Sequence, residues 1–191
     1  MDNSYITNPL IFIIDTLFSL YILAVMLRFL FQWMHVDFYN PISQFLVKVT
    51  HPPLKLLRRV IPAIGKIDTS SIVLALGLQI SLSLILFSLL GKDIALASLL
   101  VFSVKELINL TLNIFVFAVF ARAMLSWFSP SHYNPATSIL NTLTEPLLNM
   151  CRKIIPDMGG IDFSPLIVLL ALQLAKMMIL PPLVYLSSIV G

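Results

Sequence analysis

The stretch Arg58-Arg59-Val60-Ile61-Pro62-Ala63-Ile64-Gly65-Lys66-Ile67-Asp68-Thr69-Ser70 returns 94 positions later as Arg152-Lys153-Ile154-Ile155-Pro156-Asp157-Met158-Gly159-Gly160-Ile161-Asp162-Phe163-Ser164. Arg, Ile, Pro, Gly, Ile, Asp and Ser recur in place. Moving outward, the same offset pairs Thr50 with Thr144, Pro52 with Pro146, and Tyr39-Asn40-Pro41 with Tyr133-Asn134-Pro135. It also pairs Trp33 with Trp127, Arg28 with Arg122, and Gln79 with Gln173, and no gap is needed. Chance likeness between apolar segments would align leucines, not Trp, Asn-Pro, Gly, Asp and Gln in one register. The chain is a tandem duplication.

Around this block the chain is unusually apolar. Of 191 residues, 59% are hydrophobic and 11% charged, against about 45–50% and about 25% in soluble domains. Mean hydropathy is +0.97. A soluble domain of this size cannot hide so much apolar surface, which excludes a soluble enzyme, a disordered chain and a disulfide-stapled secreted domain. The single cysteine, Cys151, forms no intramolecular disulfide.

Apolar runs cover about Pro9–Trp33, Thr69–Leu90, Ile94–Phe128 and Phe163–Val190. Each is long enough for a hydrocarbon core of about 30 Å, which needs about 20 helical residues. The first has no preceding cation and no small-x-small site, so it is read as a span and not a cleaved leader. The third run is interrupted by Lys105-Glu106, placed at a membrane boundary, so the crossing is about 107–128. Ile94–Val104 is then a short interfacial helix or an extension of the same helix. The expected fold is all-α: a polytopic helical membrane protein of two parallel two-span repeats with amphipathic interfacial helices between the spans. The first repeat is 1–90 (spans about 9–33 and 69–90) and the connector is 91–106. The second repeat is 107–191 (spans about 107–128 and 163–185). Two spans per copy give both copies the same topology. They form either a four-helix bundle with a pseudo-twofold or separate halves that pair with a neighbouring chain.

Charge placement gives orientation. Lys48, Lys55, Arg58, Arg59 and Lys66 lie between the first two spans, and Arg152 and Lys153 between the last two. By the positive-inside tendency these connections face the cytoplasm and both termini face outward.

The repeated block, with Arg five residues before Trp, then Tyr-Asn-Pro, Thr-x-Pro-Leu and the Ile-Pro…Gly-x-Ile-Asp-x-Ser segment, resembles the YggT family of bacterial membrane proteins, also called YlmG. The resemblance covers nearly the whole chain, and the second copy matches more closely. The first departs at Thr69 and Ser71, where the pattern prefers Phe and Pro. The resemblance implies a bacterial inner-membrane protein associated with osmotic-stress tolerance or ion homeostasis, or elsewhere with cell division or thylakoid assembly. It implies no agreed biochemical activity.

Several residues stand out as candidate sites. In Pro52–Ile61, Leu54, Leu57 and Ile61 share one helical face and Lys55 and Arg59 another. Pro52 and Pro53 are expected to separate this piece from Pro41–Lys48. Such an amphipathic helix lies in the inner leaflet, where its cations snorkel, or where Lys55, Arg58 and Arg59, with Arg152 and Lys153 in the second copy, capture anionic lipid headgroups. A re-entrant pair punctuated at Pro62–Gly65 and Pro156–Gly160 is the third reading. Asp68 and Asp162 precede a span and read as N-caps, or as a carboxylate pair sharing a cation at a pseudo-twofold axis. Arg28 and Arg122 are expected to pair with a carbonyl or with the acid of their own copy, and Trp33 and Trp127 to sit in the aromatic belt. Gln79 and Gln173 lie deep, as interhelical glue or lining a water path. Lys176 has no charged counterpart, since Leu82 holds its place in the first copy. It would pair with Asp15 if the first and last spans touch, or else snorkel to lipid or water.

Catalytic chemistry has no foothold. His35, His51 and His132 match no zinc spacing. No phosphate loop, dinucleotide fingerprint or nucleophile elbow occurs. No catalytic residue, metal ligand, cofactor or nucleic-acid surface is expected. The expected partners are the bilayer, its anionic lipids, and membrane proteins or further copies of the chain. Two functions remain open: a transporter, channel-like protein or modulator in ion homeostasis, and a membrane scaffold or assembly factor.

Overall fold

The computed structural model describes residues 4–65, 67–128, 134–153 and 162–189. These form six helices: α1 (Ser4–Trp33), α2 (Pro41–Leu57), α3 (Thr69–Leu89), α4 (Leu96–Phe128), α5 (Pro135–Arg152) and α6 (Ser164–Ile189). α1, α3, α4 and α6 are long and apolar enough to cross a membrane. The chain is a multi-pass, all-helical membrane protein.

The duplicated Asn-Pro dipeptide starts the helices between the spans. The Asn40 side chain accepts the Ile42 amide, and Pro41 opens α2. Asn134 accepts the Thr137 amide while the Thr137 hydroxyl accepts the Asn134 amide, a reciprocal cap, with Pro135 opening α5. Proline suits this place because the first-turn amides have no partner within the helix.

Two sequence expectations change. Pro52 and Pro53 do not divide the first connection, because α2 runs continuously through both. A proline at 53 leaves the Val49 carbonyl without its usual donor, and the Tyr21 hydroxyl approaches that oxygen at 3.5 Å. A neighbouring helix thus supplies the missing donor. Of the two readings of Ile94–Val104, the extension is the one that forms: α4 is a single helix from Leu96, with Lys105 and Glu106 inside it.

Within each copy the two spans pair, α1 with α3 and α4 with α6, and the copies meet where α3 packs on α4. α2 lies against α1 and α3, and α5 against α4 and α6. The Asn40 amide donates to the Pro135 carbonyl at 2.7 Å, tying the two connections together. The core joins Ile22, Val25, Met26 and Leu30 of α1 to Ala75, Ile114, Phe115, Ala118 and Leu143. A pseudo-twofold would set α6 against α1 in the way α3 meets α4, yet α1 and α6 make no contact. The spans form an open row, α1–α3–α4–α6.

Candidate functional site

Two polar constructions interrupt this apolar bundle. The first lies at the α2/α5 end and is built twice. Arg28 Nη1 donates to the Thr50 hydroxyl at 2.8 Å and to the Val47 carbonyl at 3.2 Å, while Thr50 donates to the Leu46 carbonyl. Arg122 Nη1 repeats this with Thr144 at 2.9 Å and the Asn141 carbonyl at 3.3 Å, and Thr144 donates to Leu140. Each arginine thus pins the amphipathic helix to the span before it. A second clamp pins it to the span after it. Arg58 bonds Asp68 at 2.5 Å, and Arg152 bonds Asp162 at 2.7 Å.

Asp68 and Asp162 therefore spend their carboxylates within their own copies. Asp162 also caps α6, accepting the Ser164 amide at 2.9 Å. Asp68 takes no amide of α3 on its side chain and accepts the Ser71 hydroxyl at 2.7 Å instead. Burial works to raise both carboxyls. The hydrogen bonds from Arg58 and Ser71, with the charges of Arg58 and Arg28, outweigh it at Asp68, and bonds from Arg152 and Ser164 with the Arg152 charge outweigh it at Asp162. Both lie below the ordinary carboxylate value.

The copies differ in one charge. Glu145 bridges Arg122 at 2.6 Å and Arg152 at 3.3 Å. Its counterpart in the first copy is His51, which is exposed. Lys55 and Arg59 are exposed on α2, and Lys153 is exposed at the end of α5. Trp33 is exposed and stacks on Phe29. The Trp127 side chain and the Pro156–Gly160 punctuation lie outside the described residues. Gly65, in the first copy's punctuation, has φ +61 in a tight turn closed by Ile64 and Ile67.

The second construction is a cavity of about 470 Å³ between α1, α3 and α4, toward the end that carries the α3–α4 turn. Asp15, Ser19, Gln79, Ser83, Glu106, Asn109 and Asn113 supply its polar lining. At 1.5 Å rise per residue, Gln79 and Ile22 lie about halfway along their helices, whereas Leu90 and Glu106 mark the far mouth. The core cluster closes the cavity toward α2 and α5. Glu106 is paired with Lys105 at 2.5 Å, and the Lys105 ammonium lies 4.3 Å from the Phe102 ring centroid. Asp15 accepts a long hydrogen bond from Ser19 at 3.5 Å. The Ser83 hydroxyl is buried with no partner among the described residues.

Lys176 does not meet Asp15, because α1 and α6 do not pack on one another. It donates to Asn113 at 2.7 Å, and Asn113 reaches Asn109 at 3.5 Å. Gln79 lines the cavity while Gln173 is left uncovered on α6. Sequence reasoning missed Ser19, Ser83, Asn109 and Asn113, and put Glu106 at a boundary. The signal was available in the 94-residue register, which pairs Asp15 with Asn109 and Ser19 with Asn113. Among the described residues no group of three or more His, Cys, Asp or Glu is placed to hold a metal ion.

The model of the CCB3/YggT family matches the chain twice, over residues 7–90 and 101–183. An uncharacterized protein of Pseudomonas aeruginosa is 42% identical over 89% of this chain and 87% of its own length. The uncharacterized protein YggT of Escherichia coli is 40% identical over 89% and 88%. A chloroplastic YlmG homolog of Arabidopsis thaliana is 40% identical over 32% of this chain and 24% of its own. No solved structure matches the chain.

Proposed function

The chain belongs to the CCB3/YggT family, and from that premise we propose that it serves ion homeostasis under osmotic stress as a cation-conducting or cation-exchanging protein of the bacterial inner membrane, not as an enzyme. The observation that carries this reading is the cavity between α1, α3 and α4. Ionisable side chains within a membrane span are costly and mark functional sites, ion pathways among them. Here two carboxylates, three amides and two hydroxyls offer hard oxygen donors, the set that suits weakly polarising cations. In the proposed topology the basic α2 and α5 ends face the cytoplasm, both termini face outward, and the cavity is the outer half of a path. The apolar cluster around Val25, Met26, Ala75 and Ala118 is its closed half. Passage would require α1, α3 and α4 to part there, and the open row of spans leaves α1 unrestrained by α6.

Purified protein in sealed vesicles, assayed for potassium, sodium and proton flux, tests this. The wild type should conduct at least one of these ions. Asp15→Asn should lower the flux by about tenfold, the scale of one lost charged contact. Lys176→Leu, which removes a positive charge beside the lining and frees the Asn113 carbonyl, should not lower it, and Lys92→Gln on the α3–α4 turn should leave it unchanged. Absence of flux across all three gradients would sink the reading.

A scaffold role has its own supporting feature. α2 leaves Phe45, Val49 and Leu56 uncovered beside Lys48 and Lys55, a surface for anionic lipid or for a membrane-protein partner. A stable co-purifying partner together with no flux would favour it.

A further inference from the structure

The first copy contains a pocket at the junction of its first span and its amphipathic helix. About 320 Å³ in volume, it lies between the end of α1 and the start of α2, and its polar lining is Arg28, Gln32, His35, Ser43 and Arg58. Among the described residues no carboxylate lines it. Of the nearby acids, Asp68 holds the pocket's own Arg58 through one nitrogen, and Ser71, and Asp37 accepts the Tyr39 amide. Arg28 is only 7% exposed and is satisfied by a hydroxyl and a carbonyl, with no carboxylate hydrogen-bonded to it. Ser43 is 5% exposed and its hydroxyl has no partner among the described residues. A buried hydroxyl left unpaired in a folded protein calls for an occupant.

The second copy shows what two such arginines take when they can. There Glu145 accepts from both Arg122 and Arg152. The backbone context is the same, Thr144-Glu145-Pro146 against Thr50-His51-Pro52, yet the first copy has lost the acid. Two guanidinium groups and a free hydroxyl match an oxyanion with several acceptor oxygens, since arginine binds phosphate through parallel N–H bonds.

We propose that this pocket binds a phosphate group, as free phosphate or as the phosphodiester of an anionic lipid headgroup, which completes the first copy as Glu145 completes the second. Its position suits both sources. Arg28 and Gln32 lie in the last turns of a span, beside the exposed Trp33, at the level where lipid phosphates and water meet. The assignment is independent of ion transport.

The test uses the full chain in a non-ionic detergent. One arm titrates inorganic phosphate calorimetrically. The other adds phosphatidylglycerol or phosphatidylcholine and counts retained lipids by native mass spectrometry. Binding of phosphate identifies a free-anion site, and retention of phosphatidylglycerol over phosphatidylcholine without phosphate binding identifies a headgroup site. His51→Glu installs the carboxylate that the second copy carries before its own proline. It should weaken whichever ligand binds by about tenfold or more, with no loss of thermal stability. Should that variant fail to fold, Gln32→Glu brings a carboxylate to the pocket from exposed α1 surface and carries the same expectation. A wild type that binds neither ligand, or a carboxylate variant that binds as tightly as the wild type, overturns the proposal.

Discussion

Arg28→Ala destabilises the protein by about 3 kcal/mol, and Arg122→Ala by about half as much. Hydrogen bonds to a charged donor contribute about 1.5–3 kcal/mol, and leaving buried acceptors unpaired adds to the loss. Arg28 holds two acceptors on α2, the Thr50 hydroxyl and the Val47 carbonyl. Thr50 and Thr144 are both wholly buried, so water replaces neither guanidinium at the hydroxyl, and the difference between the copies rests on the arginines' own burial and on Glu145. The truncation also enlarges the pocket beside Phe31 and Leu46, against a helix that lacks the amides of Pro52 and Pro53. Arg122 makes the matching bonds but is less covered. When it is removed, Glu145 keeps Arg152. Denaturation in mixed micelles of wild type, Arg28→Ala, Arg28→Lys and Arg122→Ala measures the difference. Lysine, a point donor without the planar fork, restores only part of the loss. Equal effects of the two alanine variants would show that the burial difference between the copies has no energetic meaning.

Asp68→Asn costs about 1–2 kcal/mol near neutral pH: Asp68 is itself buried and loses its bonds from Arg58 and Ser71, while the Arg58 charge left behind is 38% exposed and partly screened by solvent. The Asp68 charge, which offsets that of Arg58 at Arg28, is then lost. Asp162→Asn costs less, about 1 kcal/mol, since its side chain is 37% exposed and solvent screens the pair. The pH dependence follows from the direction of the shifts. Both carboxyls titrate below the 3.8 of an unfolded aspartate. Their stabilisation is therefore complete above that value and is lost as pH falls through the lower folded-state value. The gap between wild type and Asp68→Asn should hold from pH 7 to about pH 5 and begin to close only as pH falls below the ordinary aspartate value. A gap that stays constant down to pH 3 would show that Asp68 stabilises through its shape and hydrogen bonds and not through its charge.

How much of this was readable beforehand depends on which residues carried the information. Duplication made the spans, the copies and the Arg28/Arg122 role legible, because a residue kept at one place in two copies is held by the fold. The acceptors of Arg28 and Arg122 lie 22 residues away on another helix, and no periodicity joins α1 to α2, so Thr50 and Thr144 looked like ordinary repeat matches. Pro52 and Pro53 misled because a donor on α1 compensates for the missing amide, a tertiary effect. A Lys176–Asp15 pair depends on contact between the first and last spans, and scarcity of charge is its only support in the sequence. Their separation follows from the open row of helices, which intrachain periodicity does not encode. The cavity was legible only in part. Its residues are ordinary one by one, and the shared polarity of positions 15 and 109, and of 19 and 113, appears only when copies are compared span against span.

The unbroken α4 carries a consequence of its own. Its 33 residues extend about 50 Å at 1.5 Å per residue, whereas the 21 residues of its neighbour α3 extend about 32 Å. A hydrocarbon layer of about 30 Å fits the shorter helix. The excess of the longer one must be taken up by tilt, by overhang or by local thickening of the lipid. Leu96, Leu100 and Val104 are uncovered apolar residues on that excess, so overhang into water is the costly choice. Acyl-chain length thereby becomes a variable of the molecule: lipids that are longer or shorter reset how far α4 leans from α3, and with it the width of the wedge between them.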